Sequence, residues 1–139
     1  MTGEGISLGD SLGEIVIAVT YARVIRNVAA GRDFMRGHHE PAFAREQGIA
    51  TIYVNTFFHQ ALIDRLMTDW GGRRAFIARR KIMMRLPICA GDTATASGRV
   101  VGLRTHADGH RLVDLEMAIR NAAGVCCEAL GTLAMPGEP

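Results

Sequence analysis

Hydrophobic and polar residues follow two different periods along this chain, one in each half. In the first half, apolar residues recur every three or four positions, as in helices, and in the second half every second position, as in strands. Residues 21–30 and 41–47 predict short helices that end at Gly31 and Gly48. Residues 14–19, a run rich in isoleucine and valine, predict a strand before the first helix.

A longer helix is predicted over residues 55–70. Asn55 is a favourable N-cap, and Gly71-Gly72 is a suitable end. Apolar residues repeat at four-residue spacing at Phe58, Leu62 and Leu66. Further apolar residues lie beside this stripe, so we expect a helix that other elements surround rather than one that rests on a surface.

The second half predicts four long strands joined by short turns. Alternating apolar positions indicate strands over residues 81–86, 93–104, 113–120 and 125–135. Asp108-Gly109 is a hairpin signal between the second and third of these. One buried helix followed by an antiparallel meander predicts a single α+β domain over residues 1–139, with an ordered core at about residues 10–136 and loose ends.

Composition and charge exclude several classes of function. Apolar residues make up 48% of the chain and charged residues 22%, as in ordinary globular proteins. The net charge of +2 and the absence of a basic run interleaved with aromatic residues argue against nucleic acid as a partner. No apolar stretch is long enough for a membrane span, and the N-terminal residues resemble no targeting signal, so we expect a cytoplasmic protein. Three cysteines without metal-site spacing, Cys89, Cys126 and Cys127, are expected to pack unpaired.

Ionisable side chains are concentrated in residues 33–41. Asp33 and His38 are five positions apart, a spacing that a regular helix would not align, but a loop containing Gly37 can turn both toward one point. A carboxylate and an imidazole that converge on one water can share its activation. The alternative interpretation is that Asp33 caps a helix and His38 is a surface residue. A metal site is disfavoured, because adjacent residues rarely converge on one ion.

The same segment resembles the MaoC-like (R)-specific enoyl-CoA hydratases. Their motif reads Asp-x-Asn-Pro-x-His-x-Asp-Pro, and Asp33, His38 and Pro41 are in step with it. Residues 87–93, Pro-Ile-Cys-Ala-Gly-Asp-Thr, resemble the turn that precedes the long strands of that family. The resemblance covers roughly residues 21–135. It implies a hotdog fold, in which an antiparallel sheet wraps a long central helix.

Several positions depart from the family pattern. Met35 and Arg36 replace the usual Asn and Pro, so we expect a supporting hydrogen bond to Asp33 to be missing. Val54-Asn55 replaces the His-Gly at the start of the central helix. These departures resemble the small subunits of heteromeric hydratases that act on the CoA thioesters of steroid side chains.

The resemblance implies hydration of the trans-2 double bond of an acyl-CoA, in which the CoA thioester is the substrate and no cofactor takes part. By this resemblance, Asp33 and His38 hold the water. We assign Asp33 as the base and His38 as the group that positions water and returns a proton, with a division of these roles between the two residues as the alternative. The start of the central helix, Asn55-Thr56, then becomes the candidate for binding the thioester carbonyl through free N–H groups. The implied partner is a second hotdog subunit, either a different MaoC-like chain or a second copy.

Two other functions remain open from the sequence. A hotdog acyl-CoA thioesterase would need a water-activating group but not the pair of Asp33 and His38. A non-catalytic MaoC-like partner subunit would not need to keep either residue. A basic cluster, Arg73, Arg74, Arg79, Arg80 and Lys81, is interpreted as solvated or partner-facing rather than as a CoA-phosphate site. His59 is expected to be a packed or interface histidine.

Overall fold

The computed structural model describes residues 5–137, so the predicted loose ends at residues 1–4 and 138–139 lie outside the described part. The helices are α1 (Tyr21–Gly31), α2 (Pro41–Glu46) and α3 (Thr56–Gly71), with one turn of 3-10 helix at Arg36–His38. The strands are β1 (Ser11–Ala18), β2 (Phe76–Met84), β3 (Thr93–Thr105), β4 (Arg111–Asn121) and β5 (Gly124–Met135).

All five strands form one antiparallel sheet in the order β1-β3-β4-β5-β2. The predicted turn at Asp108-Gly109 joins β3 to β4, and the N–H of His106 donates to the carbonyl of His110 across it at 2.7 Å. Edge strand β2 returns to pair with β5 rather than with β3, its neighbour in sequence. All the helices within residues 5–137 lie in one connection, between β1 and β2.

Helix α3 lies against the sheet and contacts all five strands. Its buried face consists of Phe58, His59, Leu62, Ile63, Leu66, Met67 and Gly71. The alternating residues of β4 that face it, Val113, Leu115, Met117 and Ile119, are buried as predicted. Gly131 of β5 allows the close approach, because a Cβ there would meet Met67 Sδ at 2.9 Å. A long central helix wrapped by an antiparallel sheet confirms the predicted α+β hotdog fold.

Strand β2 begins earlier than the sequence pattern predicted, at Phe76 instead of residue 81. A register shift between Ile77 and Arg79 interrupts the alternation there. Arg80 is only partly exposed and forms an ion pair with Asp64 of α3. The sequence suggested a solvated basic face at this position, but a carboxylate on the central helix neutralises this member of the cluster.

Within residues 5–137, none of the helices combines the length and hydrophobicity needed to cross a lipid bilayer. All three cysteines are buried and unpaired, as expected.

Candidate active site

Asp33 follows directly after the last turn of α1. The helix ends because Arg32 adopts a left-handed conformation, with φ of 51°, and donates its N–H back to Ala29 and Val28. The N–H of Asp33 also donates to the Val28 carbonyl at 2.9 Å. These hydrogen bonds are typical of a helix C-cap, and they hold the backbone of Asp33 in a defined position.

His38 lies at the end of the 3-10 turn, and its ring is held by Tyr53. Gly37 lies so close to the Tyr53 ring that a Cβ at this position would meet Cε1 and Cζ at 2.7 Å. The rings of His38 and Tyr53 meet edge to face, with centroids 4.9 Å apart. His38 Nδ1 lies 2.7 Å from the Tyr53 carbonyl oxygen. Because a carbonyl only accepts, Nδ1 carries the hydrogen, and Nε2 of the neutral ring is an acceptor.

The structure brings the two predicted residues together. Asp33 Oδ2 lies 3.5 Å from His38 Nε2. His38 is buried, at 6% exposure, while the Asp33 side chain keeps 29% of its surface. Two hydrogen-bond acceptors, Asp33 Oδ2 and His38 Nε2, therefore lie next to each other. His38 forms the buried side of the site, and Asp33 forms the side that is open to solvent. Such a pair suits a molecule that can donate two hydrogens, such as water.

Asn55, the N-cap of α3, also contacts Asp33. Its Nδ2 donates to Asp33 Oδ2 at 3.1 Å, and its Oδ1 accepts the N–H of Phe58 at 3.1 Å. The sequence predicted that a supporting hydrogen bond to Asp33 is missing because Met35 replaces Asn, but Asn55 supplies such a bond from a different element. The N–H of Met35 adds a longer bond to Asp33 Oδ1 at 3.3 Å.

A second amide stands behind Asn55. Asn27 of α1 donates its Nδ2 to Asn55 Oδ1 at 2.7 Å. No pattern in the sequence indicated this contact, since the two residues are 28 positions apart. The N-cap role of Asn55 was predictable, but the direction of its Nδ2 toward Asp33 was not.

These contacts lower the pKa of Asp33. The hydrogen bond from Asn55 is the largest cause, and the N–H of Met35 and the neighbouring His38 act in the same direction. Desolvation opposes them without reversing the sign. Asp33 is therefore ionised throughout the neutral pH range.

Thr56 begins α3 directly after Asn55, which places the start of this helix next to Asp33. The first N–H groups of a helix have no carbonyl partner within the helix. Asn55 Oδ1 accepts a hydrogen bond from the N–H of Phe58, one of these groups. The positive end of the helix dipole therefore lies close to the Asp33 carboxylate.

The neighbouring ionisable residues form ion pairs of their own. Glu40 accepts a hydrogen bond from Arg36 Nε at 2.9 Å, and His39 Nε2 lies 3.5 Å from the same carboxylate. Within residues 5–137, no three His, Cys, Asp or Glu side chains converge in a way that could bind a metal ion. Arg36 also lies over the ring of Phe43, 4.5 Å from its centroid. These contacts fasten the segment to α2.

Apolar surface flanks the site. Phe34 is 78% exposed and Phe57 is 57% exposed. A groove of about 510 Å³ lies elsewhere, on the strands, and is lined by residues such as Ser97, Ala118 and Leu130. Because none of its lining residues belongs to the Asp33–His38 segment, this groove is separate from the candidate site.

Comparison with models of protein families finds no match for the chain. A curated relative, the 3-oxo-4,17-pregnadiene-20-carboxyl-CoA hydratase beta subunit of Mycobacterium tuberculosis, is 34% identical over 101 residues. The aligned part covers 73% of this chain and 74% of the relative.

Solved structures agree with this relationship. A chain of the ChsH1–ChsH2 complex from Mycobacterium tuberculosis superposes with a TM-score of 0.85 and 31% identity, covering 97% of this chain and 99% of that one. The (R)-hydratase from A. caviae involved in PHA biosynthesis gives a TM-score of 0.83 at 20% identity, covering 96% of this chain and 100% of that one. The second likeness shows the shared fold.

Proposed function

The chain belongs to the MaoC-like hydratase family, and on that premise we propose that Asp33 and His38 add water across the trans-2 double bond of an acyl-CoA thioester. The observation that carries the proposal is the pair of acceptor atoms, Asp33 Oδ2 and His38 Nε2, at 3.5 Å. The hydrogen on His38 Nδ1 is committed to the Tyr53 carbonyl, so the opposite nitrogen is available for chemistry.

A water that donates one hydrogen to each acceptor would be held with an oxygen lone pair directed toward the substrate. We assign Asp33 as the base that takes a proton as this oxygen attacks the β carbon. His38 positions the water, and its Nε2 becomes an acid once Asp33 has passed to it the proton taken from the water. Returning that proton to the α carbon completes the addition, so one water is consumed and the enzyme ends as it began.

The thioester carbonyl gains negative charge while the bond to the β carbon forms. Free N–H groups at the start of α3, beginning at Asn55-Thr56, are our candidates for stabilising that charge, since they are backbone donors at the positive end of a helix. One such donor contributes roughly 3 kcal/mol in enzymes that use this device. The Asn55 side chain contacts Asp33 and Phe58, so the proposal concerns backbone groups.

We further propose a bulky substrate, the CoA thioester of a steroid side chain, and a second, different hotdog subunit as partner. The name of the relative supports the substrate, and the neighbouring two-protein complex supports the partner. The exposed rings of Phe34 and Phe57 support both, because solvent-exposed aromatic surface beside a polar site is typical of surfaces that a ligand or partner covers.

The test is a hydration assay on short, long and steroid enoyl-CoAs, with the full chain alone and together with any MaoC-like chain that copurifies with it. Asp33→Ala and His38→Ala are each expected to lower kcat at least about 100-fold, in the range that general acid–base groups contribute. Association should be unchanged in both variants. Asp33→Ala should also unfold near the wild-type temperature, because the Asp33 side chain is partly exposed. His38→Ala removes a buried ring and should lower the melting temperature, so kcat is compared at a temperature at which each variant is folded.

Each result discriminates between the functions. Full hydration by either variant would refute the site assignment. Release of free CoA from saturated acyl-CoAs, without hydration of enoyl-CoAs, would instead support a thioesterase. Hydration that depends on the partner but survives both substitutions would indicate that this chain is the non-catalytic subunit.

A further inference from the structure

Asn55 contacts the carboxylate of Asp33, the start of α3 and a second helix at the same time. Its Nδ2 reaches Asp33, and its Oδ1 accepts from both Phe58 N and Asn27 Nδ2. Asn55 is 3% exposed, and Asn27 is half-buried. These three hydrogen bonds are compatible with only one orientation of the Asn55 amide.

That orientation matters because an asparagine side chain presents an acceptor at one end and a donor at the other. Two donors, the Phe58 N–H and the Asn27 amide, converge on Oδ1. The donor end is therefore directed at Asp33. If the amide rotated by half a turn, an oxygen would face the carboxylate of Asp33, and two donors would face an NH₂ group.

We propose that Asn27 and Asn55 are positioning residues for hydration, forming a relay of amides that aims the Asp33 carboxylate at His38. The proposal deepens the function proposed above and rests on Asp33 acting in that reaction. In the family pattern to which the sequence was compared, neither Met35 nor the residue at the start of the central helix matches. The contacts show that an amide at position 55 supplies the hydrogen bond to Asp33.

The first test is Asn55→Asp in the full chain. Aspartate caps helices about as well as asparagine, so the start of α3 is retained. A carboxylate oxygen then replaces Nδ2 beside Asp33 Oδ2. Repulsion between the two carboxylates is expected to raise the pKa of Asp33 by at least about one unit and to lower kcat at least tenfold, with KM changed by less than about twofold.

Asn55→Ser separates the lost hydrogen bond from the added charge. Serine also caps well but has no donor that can both cap and reach Asp33. We expect the pKa of Asp33 to rise less in Asn55→Ser than in Asn55→Asp. We also expect kcat to fall less in Asn55→Ser than in Asn55→Asp. A purely structural role would instead lower the melting temperature and leave the titration of Asp33 where it was.

Asn27→Asp tests the relay at a distance, since Asn27 does not touch Asp33. It sets an acceptor against Asn55 Oδ1, which favours the rotated amide. The pKa of Asp33 should rise and kcat should fall. Arg26→Ala is the matched control, because Arg26 is exposed on the same helix and its loss changes the net charge by the same amount.

The titration is read directly from the ¹³C signal of the Asp33 carboxyl group, identified by its absence in Asp33→Ala. Wild-type titration and kcat in both Asn55 variants, or in Asn27→Asp, would overturn the relay. Because the carboxyl titration needs no turnover, it tests the relay even if Asp33→Ala keeps its hydration activity, a result that would refute the function instead.

Discussion

Replacing Gly37 by alanine should disable the site through packing alone. Gly37 does not have a positive φ, so alanine meets no backbone strain there. Its Cβ would, however, meet Tyr53 Cε1 and Cζ at 2.7 Å. Ordinary carbon contacts begin near 3.5 Å, so the Tyr53 ring must move by roughly 0.8 Å or more.

The Tyr53 ring cannot move without consequences for His38. The two rings are in edge-to-face contact, the Tyr53 carbonyl holds His38 Nδ1, and the Tyr53 hydroxyl donates to Gln47 at 2.9 Å. Overpacking of this kind costs about 1–3 kcal/mol of unfolding free energy. For a chain of this length, that corresponds to a fall in melting temperature of roughly 3–12 °C. Displacement of a catalytic group by about 1 Å can cost up to 100-fold in rate, so we expect kcat to fall ten- to 100-fold.

Gly31→Ala is the matched control. It changes a glycine beside the same site, at a φ that alanine tolerates, but its Cβ would lie 3.5 Å from the Phe57 ring, an ordinary contact. Thermal unfolding and enoyl-CoA hydration are measured on wild-type protein and both variants. Wild-type melting temperature and kcat in Gly37→Ala would refute the packing argument, as would an equal loss in Gly31→Ala.

The remaining predictions concern residues outside the catalytic pair. His59 is buried, its Nδ1 has no hydrogen-bond partner among residues 5–137, and desolvation lowers its pKa to about 4. The unfolded chain therefore binds a proton that the folded chain does not between about pH 6.5 and pH 4, so lowering the pH from 7 to 5 should cost about 2 kcal/mol of unfolding free energy through this residue. Denaturant unfolding at both pH values should show this loss in the wild type and not in His59→Leu; an equal loss in both would contradict the assignment. Thr132 donates to Asp114 at 2.7 Å on the face of the sheet away from α3, so Thr132→Val should lower the unfolding free energy by about 1–2 kcal/mol and leave hydration unchanged. A fall in kcat in that variant, measured in the same hydration assay, would show that the outer face of the sheet takes part in the reaction.

Elements with a regular period were predictable from the sequence. The helix over residues 55–70 corresponds to α3 within one residue at each end, because its cap, its apolar stripe and its closing glycines all agree. Strands β3, β4 and β5 alternate cleanly and were predicted almost to their ends. The prediction began strand β2 too late, because Arg79 and Arg80 interrupt the alternation of apolar and polar residues in its first half.

The candidate site was predictable only where it is local in sequence. Asp33 and His38 share one segment, and Gly37 signalled a turn between them. The supporting contacts join Asp33 to a residue 22 positions away and His38 to one 15 positions away. Contacts of that kind depend on how α1 and α3 pack together, which no period or spacing in the chain encodes. The donor that replaces the expected one at Met35 was missed for the same reason.

Both side chains of the proposed catalytic pair come from residues 33–38 of a single chain, and the hydrogen bonds that orient them come from the same chain. An assembly built on such a subunit would need Asp33 and His38 from only one of the two chains at each site. On the proposed function, the other subunit would not need acidic and basic residues of its own at this position, and its surface could change to fit larger acyl groups. A division of labour between two related subunits follows from the proposal, because one short segment would contain both groups that move the proton.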